Sequence, residues 1–480
     1  MKLYNILKCV LCFQMSLLIV SCGNMIGDSD TDGSDYSGEV SYVRGLVKSK
    51  WGNVPFSVKI TAGNFSKTIN SNNNNGFEFD DVPLGNIRVS FSSSSCRIVP
   101  EYADFNLTSK GLTLDSFRLV KDFWNCEYEL EGSAVDCIET KDAYYICGTV
   151  NTAIRANDIF LTKVNFDGDV IWTKYFGSTY DDESVCLRSN KDKLLIAANS
   201  VYNDADFAGS NVRLIITDLN GDVIKEKLWG GPGYETVNDI CVESSSFVMA
   251  GTVDGSNGFD MVLVRFDYNL TEKFRANLGS SGDEYGCVLV KALNSFCYFG
   301  KAPDISDGTV YNPIVRITDE AFNETFAETF ASGKNEIIKS AVYSGNRIYF
   351  CGSYYDGGIS EKGGLVGSYV PGERVINKNY ICTEDVESFA GIYPNGSAFA
   401  VAVKLRKKEG MRDSDTALGE FDGVNAFSLK KGFRASYKEE DIMFFKRTSA
   451  GFISGGSSYN STNGKYYMKL VSANREYDVQ

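Results

Sequence analysis

Phe160-Leu161-Thr162-Lys163-Val164, then Phe166-Asp167-Gly168-Asp169, then Val170-Ile171-Trp172-Thr173-Lys174-Tyr175-Phe176-Gly177 reads as two strands joined by a tight turn. Asp-Gly between apolar runs is a strong hairpin signal, because a type I′ turn needs positive φ and Gly adopts it without steric cost. The arrangement recurs, with Leu214-Ile215-Ile216 ahead of Leu219-Asn220-Gly221-Asp222, and in the run Met261-Val262-Leu263-Val264-Arg265-Phe266. Ahead of each lies another apolar block. Tyr145-Ile146-Cys147-Gly148 has counterparts ending at 198, 251, 300, 352, 402 and 455, in steps of 49 to 53 residues, so there are seven units. Four strands per unit and a period near 50 fit a β-propeller blade better than a solenoid repeat, which is usually shorter.

The expected fold is therefore all-β, a seven-bladed β-propeller over residues 121–480. Residues 122–130 match a fourth strand with no first three before it. They are expected to pair onto the last blade, built from residues 441–471, and so close the ring and remove its sheet edges. Residues 40–120 hold short alternating strands at 43–47, 54–60, 77–79, 87–91 and 105–117, the pattern of a small antiparallel β-sandwich.

The N-terminus carries Lys2 and Lys8 before an apolar run over residues 9–20, broken by Gln14 and Ser16, too short to span a bilayer. Residues 1–21 thus read as an export signal. Leu18-Ile19-Val20-Ser21-Cys22 resembles the lipobox of bacterial lipoproteins, which implies acylation of Cys22 and a membrane partner through a lipid anchor. The expected location is outside the cytoplasm, at the outer membrane, facing the periplasm or the surface. Residues 22–39 form an acidic tether. Within it Asp28, Asp30, Asp32 and Glu39 match the calcium-loop spacing, but no flanking amphipathic helix would organise them, so calcium is the weaker reading and no cofactor is expected.

Two further resemblances rest on quoted residues. Val43-x-Gly45-x-Val47, Val58-x-Ile60, Asn75-Gly76-Phe77-x-Phe79 and Val82-Pro83-x-Gly85 resemble the carboxypeptidase regulatory-like and Cna-B-like sandwich domains, which implies a spacer without an active site. Trp172-x-Lys174-x-Phe176-Gly177, with partial matches at Lys227-Leu228-Trp229-Gly230-Gly231 and Phe274 to Gly279, resembles a family of bacterial surface and secreted propellers, whose members bind, scaffold or have no assigned activity.

The sequence of 480 residues contains no histidine and has a formal charge of −14. Histidine bases, Ser-His-Asp and Cys-His nucleophiles and His-bound zinc are excluded. A nucleic-acid partner would be repelled. Cys137 with Cys147, and Cys287 with Cys297, flank short turns symmetrically. They read either as cross-strand disulfides or, preferably, as small buried side chains.

Connections between an outer strand and the next inner strand are expected to rim the channel, and these carry acids: Asp182 and Glu183, Glu235, Asp283 and Glu284, Glu336, Glu387, and Glu439 with Glu440. They are candidates for a ligand-binding rim, against the simpler reading that turn acids bond local backbone. Tyr354, Tyr355 and Trp229 are candidates for stacking on carbohydrate. The long second-to-third-strand connections, including residues 203–211 and 406–416, share that face. The leading expectation is a membrane-anchored binding or scaffold protein without catalysis, its ligand a glycan or a protein. A purely structural role in a multiprotein outer-membrane assembly is a further possibility. The alternative is a carbohydrate-active hydrolase or lyase using carboxylates or Tyr at the channel.

Overall fold

The computed structural model describes residues 38–477 apart from 50–51, 94–95, 121–122, 152–156, 203–206, 208, 281, 305–307, 309, 358–360, 372, 374, 384, 407–414 and 434–437. Cys22, Asp28, Asp30 and Asp32 lie outside the described residues, and Glu39 is exposed. The described chain divides into two compact units, one running to residue 94 and including 98–119, the other holding 95–97 and everything from 120 onward.

The larger unit is a seven-bladed propeller. Five blades are separate sheets of four antiparallel strands in sequence order, such as Asp182–Asn190, Lys193–Tyr202, Gly209–Asp218 and Val223–Trp229 of blade 2. Blades 1 and 7 share one seven-stranded sheet because the strand Trp124–Glu139 serves both. Its first half, from Trp124 to Glu131, pairs with Lys465–Asn474 as the outer strand of blade 7; its second, from Gly132, pairs with Tyr144–Asn151 as the inner strand of blade 1. The N-terminal strand thus closes the ring as the sequence predicts. Between blades the second and third strands, apolar on both faces, pack into continuous cores: Leu195, Leu214 and Ile216 of blade 2 against Ile240, Phe247 and Met249 of blade 3.

The hairpins named in the sequence are present, but their turns are not type I′. Only Gly168 and Gly221 have positive φ (79° and 77°), and the pairing slips by one residue beside each turn. This is a type I turn followed by a left-handed residue and a bulge. A repeated side-chain cap explains why the turn holds even where Leu270 and Phe322 take the left-handed position at φ 61° and 63°. Asp218 Oδ1 accepts the Asn220 and Asp222 N–H groups at 2.8 and 2.9 Å, and Asp267 and Asp319 do the same in blades 3 and 4. Asp422 accepts three such N–H groups in blade 6. These bonds favour the charged carboxylate and lower all four pKa values, Asp267 to about 2, where a bond from Lys273 contributes most. A depressed folded-state pKa gives stability that is fully present above the unfolded value near ~3.9 and lost as the pH falls through the folded value. The denaturant midpoint is therefore expected to drop below about pH 4. Replacing these four Asp by Asn should flatten the acid limb, measured by urea unfolding at stepped pH.

The smaller unit holds two facing sheets, and the short strands Arg97–Val99 and Arg118–Val120 pair as a third. One has Val40–Leu46 between Gly76–Pro83 and Leu112–Leu114; the other has the order Phe65–Asn70, Ser57–Ala62, Gly85–Ser92, Tyr102–Leu107. Phe77 of the first meets Phe91 of the second at 5.7 Å between ring centroids, so the apolar faces meet as a sandwich. One pair, Val40–Leu46 with Leu112–Leu114, runs parallel, and the expected strand at 105–117 is broken by a turn at Gly111, φ 76°.

Candidate functional site

Each inner strand of the propeller carries a register shift against its neighbour at a corresponding place in every blade, and that of blade 6 carries a second at Glu387. The extra residue of a bulge is pushed out of the ladder and its side chain is re-aimed. Here the seven extra residues are Val135, Val185, Asn238, Cys287, Lys339, Ala390 and Met443, and all line a central channel of about 400 Å³. They are half-exposed or exposed while the residues after them are mostly buried. Seven side chains are thereby aimed into the channel, which Asp136, Arg188, Asp239 and Lys446 also line. Of the seven, five are apolar or weakly polar, Asn238 is amide, and Lys339 alone is charged.

Behind this ring lies a charged network. Arg188 of blade 2 binds Asp136 of blade 1 at 2.5 Å and also Asp239 of blade 3, and Lys446 of blade 7 reaches Asp136 at 2.8 Å. Each acid also accepts the N–H of the next blade: Asp136 from Leu187 and Asp239 from Leu289, both at 3.0 Å. Burial would raise the Asp136 pKa, but Lys446 and Arg188 hold it below the ordinary carboxylate value. The network has its partners within the protein and ties five blades together.

At one end the channel opens into a cleft of about 540 Å³ across blades 5 to 7. Lys339, Tyr354, Tyr355, Lys362, Glu387 and Asp441 line it. Lys404 is held by Asp441 at 3.1 Å, and Lys362, on the rim, is 3.8 Å from Glu387. Lys339 has no carboxylate within ion-pair distance among the described residues; its nearest polar contact is the Ser388 hydroxyl at 3.4 Å. It is exposed and lines both the channel and the cleft. The surrounding walls strip its hydration and lower its pKa, with Lys404 acting in the same sense and Asp441 and Glu387 opposing. Tyr354 is buried and donates to Glu361, whereas Tyr355 is 45% exposed.

The sequence candidates separate into three groups. Asp182, Glu284 and Glu336 are buried and closed into ion pairs inside their own blades. Asp182 meets Arg213 at 3.1 Å, Glu284 meets Arg316 at 2.6 Å, and Glu336 meets Lys378 at 2.8 Å. Glu440, buried, likewise pairs with Lys469 in blade 7. Glu235 and Asp283 hold turn N–H groups, from Gly231 and Phe259, and Glu235 has its pKa raised by burial. Glu183 is exposed outside the cleft, so of the acids named as rim only Glu387 lines it. Tyr354 and Tyr355 also line it, while Trp229 is buried and donates to Glu272. Lys339 went unnoticed because the sequence shows only one lysine in a strand; the bulge that aims it is a property of the pairing. The ten described cysteines are free thiols. Asp136, not Cys137, faces Cys147, and Val290 faces Cys297, because the hairpins pair Glu139 with Tyr144 and Ala292 with Ser295, which puts each turn off the midpoint of its cysteine pair. Among the described residues no group of three or more acidic or cysteine side chains is placed to hold a metal ion.

No family model and no curated protein matches the sequence. Solved structures match in fold. An ulvan lyase from a new polysaccharide lyase family, solved alone and bound to GlcA(1-4)Rha3S, superposes with a TM-score of 0.50 at 9% identity, over 72% of this chain and 96% of its own. A further polysaccharide lyase gives 0.48 at 10% identity, over 74% and 92%. The β-propeller domain of the Trilobed protease from Pyrococcus furiosus gives 0.43 at 10%, over 71% and 93%. This chain is a β-propeller. The expectation of a non-enzymatic binding or scaffold protein is corrected by the lyase neighbours, which favour the carbohydrate-active alternative.

Proposed function

We propose that this chain is a polysaccharide lyase that cleaves a uronate-containing polysaccharide by β-elimination in the cleft across blades 5 to 7. The observation that carries this reading is Lys339, a lysine without a carboxylate partner whose pKa is lowered, standing where the cleft meets the channel beside Tyr355 and Lys362. A base works best when its pKa approaches the working pH, and desolvation moves a lysine in that direction. The neutral Lys339 amine takes the proton from the carbon next to the uronate carboxylate. The electrons left behind form a carbon–carbon double bond, and the bond to the glycosidic oxygen breaks. That oxygen leaves with the electron pair and takes a proton from the exposed Tyr355 phenol, which water then restores. Lys362, loosely held by Glu387, pairs with the uronate carboxylate and stabilises the charge that spreads onto it. Such chemistry suits a chain without histidine.

The test is incubation of the chain with uronate polysaccharides, ulvan included, and with neutral ones, read by the ultraviolet absorbance of unsaturated uronate ends. Absorbance is expected to rise with one or more uronate polymers and with no neutral one. Retention of polymers without any product would overturn the reading.

We also propose export and lipidation at Cys22, with the small sandwich, which resembles carboxypeptidase regulatory-like domains, as a spacer. The lipobox-like Leu18–Cys22 segment supports this. An acylated N-terminal peptide from the membrane fraction is expected by mass spectrometry, and an unmodified Cys22 in the soluble fraction would refute it.

A further inference from the structure

The face of the propeller onto which the cleft opens carries a row of aromatic rings across blades 3 and 4. Tyr234 meets Phe259 at 4.9 Å between centroids, Phe259 meets Tyr285 at 5.2 Å, and Tyr285 meets Tyr311 at 6.2 Å. The topology places all four at one edge. Tyr234 closes the connection into blade 3 and Phe259 starts its third strand, while Tyr285 and Tyr311 begin the first and third strands of blade 4. The row therefore ends one blade from Asn335, which heads the inner strand of blade 5 and lines the cleft.

Rings in a propeller are ordinarily core, but these differ in two respects. Tyr234 is 39% exposed and the other three are half-buried, and none belongs to the apolar clusters between blades. A cation also sits on the row: Lys301 Nζ lies 4.8 Å from the Tyr311 centroid and 5.6 Å from that of Tyr285, with no carboxylate in ion-pair distance among the described residues. In a chain with a formal charge of −14, a lysine balanced by ring faces alone keeps its charge available to an anion. Pyranose rings stack their C–H faces on exposed aromatic rings, and a carboxylate or sulfate on the sugar finds the ammonium.

We propose that Tyr234, Phe259, Tyr285 and Tyr311, with Lys301, form an elongated binding subsite for an anionic polysaccharide, which holds the polymer as it enters the cleft. The occupant is a chain of acidic sugars, because a neutral glycan would leave Lys301 unused. The proposal rests on the lyase reading for the direction of the polymer, while binding can be measured without turnover.

The experiment is affinity electrophoresis of the full chain in gels containing alginate, polygalacturonate or hyaluronate, with dextran as the neutral control. The wild type and Lys339→Met are expected to be retarded by one or more of the polyuronates and not by dextran. Tyr285→Ala/Tyr311→Ala should weaken the apparent Kd about tenfold. Tyr285→Phe/Tyr311→Phe, which keeps the rings, should bind as the wild type does. Lys301→Gln should weaken binding at low salt and leave it less sensitive to added salt; it serves as the second variant if the alanine pair unfolds, which the thermal midpoint reports. Unchanged retardation of the alanine pair, or no retardation of the wild type by any polyuronate, overturns the subsite. Failure of the lyase reading is seen separately, as the absence of unsaturated products from the wild type whatever the retardation.

Discussion

Lys339→Met should lower turnover of a uronate polysaccharide by about a hundredfold or more, the usual loss when a general base is removed. The methionine keeps an unbranched chain only one atom shorter and lacks the amine, and the position is an exposed bulge residue with no ion pair to break. The thermal midpoint should therefore stay within about 2 °C of the wild type. KM should change much less than kcat, because the group acts in the transition state. The pH profile adds a check with a definite sign. The base works only when neutral, so wild-type kcat should rise with pH and level off as Lys339 loses its proton. Desolvation by the channel and cleft walls lowers that pKa, so the midpoint of the rise should lie below the ordinary lysine value near ~10.4. Turnover of Lys339→Met within twofold of the wild type would remove Lys339 from the chemistry.

Arg316→Met is the corresponding prediction for stability. Arg316 and Glu284 are 5% and 3% exposed, joined by two hydrogen bonds of 2.6 Å, and Arg316 also reaches Glu324. Taking the guanidinium away leaves the Glu284 carboxylate buried with only the Ser280 hydroxyl at 2.6 Å. An uncompensated buried charge costs about 3–5 kcal/mol, whereas replacing both partners by apolar groups is often close to neutral. Urea unfolding should show that loss in Arg316→Met and recovery of most of it in Arg316→Met/Glu284→Leu. A loss below about 1 kcal/mol in the single variant would mean that the pair is solvated and worth no more than a surface ion pair.

These residues also mark how far the sequence could be read. The number of blades was legible because burial on both faces of a second strand leaves an apolar block, Tyr145 to Gly148, with six counterparts at a near-constant spacing. The closing strand was legible because residues 122–130 match a fourth strand that lacks its own first three. The strand Phe65–Asn70 was not, since its residues are mostly exposed and show no apolar alternation. The repeated acids were visible, but not their partners. Arg213 lies 31 residues from Asp182 and Lys378 lies 42 from Glu336, and an ion pair between different strands leaves no local pattern. The rim residues thus looked open to ligand when four of them are sealed inside their blades. The two tyrosines at 354 and 355 were nominated as stacking groups and do line the cleft. Lys339 could be found only from the ladder, where one residue is out of step, and the cysteine pairing failed because the hairpin turns between Glu139 and Tyr144, one register away from the midpoint of Cys137 and Cys147.

The central claim is bond cleavage by elimination at Lys339, and mass spectrometry of the polysaccharide fragments tests it most directly. Fragments released by the wild type should be lighter by one water than hydrolytic fragments of the same length, and Lys339→Met should release almost none. Fragments carrying the added water would make the enzyme a hydrolase. The same unsaturated fragments from Lys339→Met at the wild-type rate would place the base elsewhere and contradict the account.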